Sequence, residues 1–152
     1  METNRIRTDK ISMSKTTEAE KKTLKVILDS NALFVPLQFK IDIFQELRTL
    51  LNRNFEPILI SPVWHEIERI AKTGSPKMQK KAAYALGLAE KCKLVEVDQA
   101  GGSPDDNIVK AADEMRSPVF TNDIKLRKRL RNINVPVIYV RQKSRLEIDG
   151  RL

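Results

Sequence analysis

From Leu24 onward, short apolar runs alternate with stretches of helical periodicity, and few architectures accept that order. The runs are Leu24-Lys25-Val26-Ile27-Leu28, Pro57-Ile58-Leu59-Ile60, Leu94-Val95-Glu96-Val97, Val119-Phe120 and Val135-Pro136-Val137-Ile138-Tyr139-Val140. Between them, Ile43, Phe44, Leu47, Leu50 and Leu51 recur at helical spacing, as do Val63, Ile67, Ile70 and Ala71. Ser61-Pro62, Ser75-Pro76 and Ser103-Pro104 mark three helix starts, the serine as cap and the proline as a preformed first turn. A further helix, with Leu126 and Leu130 on its inner side, should begin at Asn122 or Asp123. Strands alternating with such helices predict an α/β fold, a three-layer α/β/α sandwich around a mainly parallel sheet of about five strands.

A chain of 152 residues is one ordinary domain with a proper core. Residues 1–22 are polar and aperiodic and read as a flexible charged arm; the domain is expected over 23–145, with a C-terminal tail at 146–152. The single Cys92 excludes a disulfide framework and a cysteine-rich zinc ribbon, and reads as a buried thiol of a reducing cytosol. The lone His65 cannot by itself build a histidine metal site. No stretch approaches a membrane span, and the N-terminus has no signal-peptide core, so a cytoplasmic location and no membrane contact are expected.

Charge is unevenly placed. Residues 1–25 carry +3, residues 26–122 carry −1, and residues 123–152, with nine basic and three acidic side chains, carry +6. Basic flanks on a balanced body suit a polyanion, and nucleic acid is the commonest.

The body supplies the opposite charge at defined places. In an open parallel sheet, ligands bind beyond the carboxyl ends of the strands. The first strand there delivers Asp29-Ser30-Asn31, and the second leads into a helix carrying Glu66. The third leads through Gly101-Gly102-Ser103-Pro104 to Asp105-Asp106, and the fourth ends in Thr121-Asn122-Asp123. An acidic site without Cys or His ligands suits Mg²⁺ or Mn²⁺, as one or two ions held by Asp29, Asp105, Asp106 and Asp123. Such ions activate water and stabilise charge on a transferring phosphoryl group. Each acid also has a structural use: Asp123 can cap its helix, Glu66 complements a helix dipole, and Asp106 occupies the third helical position after Ser103. Whether Asp106 is a ligand or a cap stays open at this level.

These residues, in this order, resemble the PIN-domain nucleases. The resemblance rests on Leu28-Asp29-Ser30-Asn31, Pro62-Val63-Trp64-His65-Glu66-Ile67, Asp105-Asp106-Asn107-Ile108 and Thr121-Asn122-Asp123 followed by Leu126, and spans about residues 24–142. The ending Pro136-Val137-Ile138-Tyr139-Val140-Arg141-Gln142, and the segment from Val35-Pro36 to Phe44, look most like archaeal PIN proteins related to small-subunit ribosomal RNA processing nucleases; VapC toxins are more distant. The zinc ribbon of one rRNA-processing branch is absent. The resemblance implies a metal-dependent endoribonuclease with Asp29, Glu66, Asp105 and Asp123 as its acidic quartet. Ser30, Asn31, Thr121 and Asn122 match the polar residues that orient those acids. It implies RNA, and ribosomal RNA in particular, as substrate. As protein partners it leaves open an antitoxin, a ribosome-assembly factor or a second copy in a homodimer.

Other small α/β classes fit less well. A receiver domain needs an acidic pair after its first strand, and a haloacid-dehalogenase-type phosphatase needs an aspartate where Asn31 stands. The competing reading is an RNA-binding scaffold whose acids do not turn over. For RNA contact, Lys125, Arg127, Lys128, Arg129 and Arg131 cluster after Asp123, and helical geometry favours Arg127 and Arg131, which share a face. Arg141, Lys143 and Arg145 follow the last strand.

Overall fold

Apolar runs buried on both faces dictate the centre of the molecule, since Val26, Ile27, Leu28, Ile58, Ile60, Val119 and Phe120 are all fully buried. Each such side chain contributes about 1.5–3 kcal/mol by leaving water. A computed structural model of the protein describes residues 8–10, 23–98 and 101–152. Its elements are β1 (Thr8–Lys10), β2 (Leu24–Leu28), α1 (Ser30–Phe39), α2 (Ile43–Leu51), β3 (Phe55–Ile60), α3 (Ser61–Thr73), α4 (Pro76–Ala89), β4 (Lys93–Glu96), α5 (Pro104–Met115), β5 (Val119–Phe120), α6 (Ile124–Asn132), β6 (Val137–Arg141) and β7 (Arg145–Asp149).

The strands form one sheet in the order β1-β4-β3-β2-β5-β6-β7, parallel throughout except for β7, which runs antiparallel to β6. The chain moves from β2 outward through β3 to β4, then returns through β5 to β6 on the other side of β2. Right-handed crossovers therefore place α1 to α4 on one face and α5 and α6 on the other. The switch in direction falls between β2 and β5, and it opens a crevice at their carboxyl ends.

The sheet is wider than the expected five strands at both edges. Thr8–Lys10 lies within the expected N-terminal arm and pairs with Leu94, Val95 and Glu96 of β4; the rest of that arm lies outside the described residues. The expected tail holds most of β7, whose Leu146 is buried. Its hairpin escapes sequence reading because the tight turn uses Gln142 and Lys143, both at positive φ, in place of the usual asparagine or glycine. Ser144 N–H closes this turn on the Arg141 carbonyl at 3.2 Å.

Helix α1 is also unexpected. It starts immediately after β2, is capped by Asp29 and contains Pro36, a residue that ordinarily ends a helix; here only three residues follow. Ser75 and Ser103 cap α4 and α5 as expected, Ser103 in a reciprocal capping box with Asp106. Ser61 does not cap α3. The cap position falls on Ile60, and the buried Ser61 Oγ instead accepts the Val97 N–H at 3.2 Å, tying β3 to the end of β4.

Candidate active site

Strand β2 delivers Asp29 to the crevice and the sheet fixes it there, its N–H bonding the Phe120 carbonyl of β5 at 3.0 Å. The carboxylate is 4% exposed. One oxygen accepts the Ser30 N–H at 2.7 Å; the other accepts the Thr121 hydroxyl at 2.7 Å and the Asn31 amide at 3.0 Å. Thr121, fully buried, in turn accepts the Asp123 N–H at 3.1 Å, and Asn31 Oδ1 accepts the Asn122 N–H at 3.0 Å. Asn122 Oδ1 accepts the Val140 N–H at 2.9 Å, extending the network to β6. Three of the four expected supporting residues thus work through their side chains, and Ser30 works through its backbone.

The remaining acids come from helix starts. Asp123 caps α6, its Oδ1 accepting the N–H groups of Lys125 and Leu126. Asp105 is in the first turn of α5 and Glu66 in the second turn of α3; both are half-buried. The charges are coupled. Burial raises the Asp29 pKa to about 6 against the opposing bonds from Thr121 and Ser30, and the negative charges of Asp105 and Glu66 raise it further. Asp105 is also raised, first by burial and then by Asp123, while Arg129 opposes.

Asp106 stands apart from this set. One of its oxygens accepts the Ser103 N–H at 3.0 Å and the other pairs with Arg129 at 2.9 Å, and these contacts hold its pKa below the usual carboxylate range. The structure gives it the capping role that the sequence also offered. Arg129, passed over in favour of its neighbours, is the cation that faces the acidic edge; a charge six residues beyond Asp123 was the available signal.

The arginines favoured for RNA contact have carboxylate partners within the protein. Arg127 and Arg131 do share a face, but that face grips Asp149 of β7 at 3.0 and 3.3 Å, with Arg127 also 3.8 Å above the Tyr139 ring. Arg141 and Arg145 both pair with Glu147, at 3.1 and 3.2 Å. Lys143 is exposed at the hairpin turn. Tyr84 is 45% exposed, whereas Trp64 packs against the core.

Four carboxylates and no sulfur or imidazole make an all-oxygen donor set, which fits a hard divalent cation such as Mg²⁺ or Mn²⁺. Among the described residues no three acidic, His or Cys side chains stand at shared-ligand distance; the four acids are within electrostatic rather than ligand reach of one another. Raised carboxylates left to repel each other are what a bound cation would relieve.

A doubly wound α/β domain with acids converging at its switch point belongs to the open-sheet proteins that bind ligands beyond the carboxyl ends of their strands. Comparison with known proteins narrows the class: residues 26–143 match the PIN-like domain, and the chain belongs to that family. It is 35% identical over 127 residues to Ribonuclease VapC4 of Methanocaldococcus jannaschii, covering 83% of this chain and 97% of that protein. It is 25% identical over 123 residues to Ribonuclease VapC9 of Archaeoglobus fulgidus, covering 81% and 87%. The fold superposes on the solved PIN domain endonuclease Utp24 with a TM-score of 0.71 at 28% identity, covering 84% of this chain and 92% of that one.

Proposed function

We propose that the protein is a metal-dependent endoribonuclease that hydrolyses RNA phosphodiester bonds, with ribosomal RNA as its substrate. One observation carries this reading: a buried carboxylate, Asp29, is locked by Ser30, Asn31 and Thr121 at the switch point with negative charges from Asp105 and Glu66 beside it. A stability-driven arrangement would give such an acid a cation or an apolar replacement. The names of the VapC relatives and of Utp24 point the same way.

Asp29, Asp105 and Asp123 would hold one or two Mg²⁺ or Mn²⁺ ions, with Glu66 completing the acidic wall. When bound, the ion supplies Lewis-acid stabilisation of the phosphoryl charge and a water of lowered pKa. The chain's own part is positional. Thr121 and Asn31 fix both the orientation and the ionised form of Asp29, while α6 holds Asp123 through its own cap. Asp106 and Ser103 lock the start of α5 and with it the backbone carrying Asp105.

The ribosomal substrate rests on the likeness of Pro136 to Gln142, and of the segment around Val35-Pro36, to archaeal rRNA-processing PIN proteins. A second reading, a VapC-type toxin held by an antitoxin, is favoured by the 35% identity to Ribonuclease VapC4. The intact network around Asp29 argues against a scaffold whose acids are idle. The deciding experiment is cleavage of 5′-labelled ribosomal RNA fragments with Mn²⁺, Mg²⁺ or EDTA, with Asp29→Asn purified in parallel. Cutting by wild type alone, and only with metal, is expected; equal cutting by both proteins sinks the proposal. Growth arrest on expression, relieved by one co-expressed small protein, would select the toxin reading.

A further inference from the structure

The amino ends of the same strands carry a second charge cluster, of the opposite sign. A hollow of about 580 Å³ there is lined by Arg48 from α2, Arg53 from the turn before β3 and Lys91 from the turn before β4, together with Phe44 and Phe55. That volume lies within the roughly 300–1,000 Å³ of ordinary ligand sites. Two of these cations, Arg48 and Lys91, share the hollow with one acid, Asp42, whose Oδ1 accepts the Gln45 N–H at 3.2 Å.

Arg48 and Lys91 are held by neutral groups. Arg48 donates to Gln45 Oε1 at 2.9 Å, and the Lys91 ammonium lies 5.5 Å from the Phe44 ring centre. Among the described residues neither has an acidic partner at ion-pair distance, whereas Arg127, Arg129, Arg131, Arg141 and Arg145 each have one. Neutral partners orient a cation without cancelling it. The hollow therefore keeps its attraction for an anion, and the half-buried Phe55 ring beside the cations gives a base a surface to meet.

We propose that this hollow is a second RNA-contact site, gripping backbone phosphates about 20 Å, one strand length, from the acidic edge. It rests on the nuclease reading for the identity of the polyanion. It predicts that the substrate is an RNA large enough to reach both ends of the strands, and that a short oligonucleotide confined to the acids does not use the hollow.

The test is fluorescence anisotropy with Asp29→Asn protein, with and without Arg48→Gln and Lys91→Gln together, on a long ribosomal hairpin and on a short single strand. Affinity for the hairpin should fall about tenfold, and the log–log salt slope should shrink by one to two, while binding of the short strand is unchanged. In otherwise wild-type protein, the same two substitutions should leave cleavage of the short strand intact. Restoration of hairpin affinity by Arg48→Lys with Lys91→Arg would show that charge, not folding, was lost; failure of that pair to restore binding overturns the proposal. Unchanged hairpin affinity and slope overturn it too, whatever else the hollow binds. An inactive enzyme that still shows the tenfold difference would break the nuclease reading alone.

Discussion

The acidic edge and the C-terminal hairpin are both rich in charge, and they treat it in opposite ways. At the edge, Asp29 and Asp105 are buried enough to be desolvated and face other acids. On the hairpin, Asp149 receives two arginines and Glu147 two more. Cancelled charge is what a fold needs to pin a strand; like charge concentrated out of water opposes folding and persists where a ligand relieves it. The difference separates acids that a bound cation would relieve from residues that hold the sheet together.

The sharpest way to break the contrast is Asp29→Asn. Cleavage should fall by about 100-fold or more, beyond the 10–100-fold typical of losing a residue that merely orients a ligand. Stability should move the other way. An acid whose folded pKa stands at about 6, above its unfolded value of 3.8, is protonated more readily in the native state. Relative to Asp29→Asn, metal-free wild type should therefore lose about 3 kcal/mol as pH rises from 4 to 6, and the difference should then level off. Urea denaturation in EDTA across that range measures it. A difference between wild type and Asp29→Asn that stays flat or rises with pH would mean that the edge is compensated after all.

Thr121→Val comes next. The isosteric change strips a hydroxyl that donates to Asp29 and accepts from Asp123 N–H in a fully buried place. It should cost about 1–3 kcal/mol in denaturation and lower cleavage about 10–100-fold. A neutral result in either assay would detach the network from the site.

Arg127→Ala probes the compensated side. The pair with Asp149 is about a third exposed and the ring contact adds to it, so the loss should be about 1 kcal/mol, without change in RNA affinity. Weakened RNA binding at unchanged stability would return Arg127 to the substrate face, where the sequence alone had put it.

The partners of Arg127 show what a sequence exposes and what it hides. The alternation of apolar runs and helical periods defines the parallel sheet, and the topology rule then takes Asp29, Glu66, Asp105 and Asp123 to one edge. These inferences use backbone direction alone. Which partner a long arginine chooses depends on β7, and β7 was hidden because its turn is built from Gln142 and Lys143. Helix α1 was hidden by Pro36, and Ser61 kept its place but changed its partner, since α3 runs straight off β3. Local signals placed the acids, while the fate of the cations was set by a strand with no local signal.

Asp106→Asn should have the smallest effect and draws the boundary within the acidic edge itself. The amide oxygen of asparagine can still accept the Ser103 N–H, so the start of α5 is kept and only the pair with Arg129 is lost. Cleavage and its dependence on Mn²⁺ concentration should stay at wild-type values, whereas Asp105→Asn, one residue away, should lose both. The two variants differ by one position on one helix turn, so fold damage cannot separate them. A metal requirement raised equally by both would make Asp106 a ligand and move the border between compensated and uncompensated charge to Arg129.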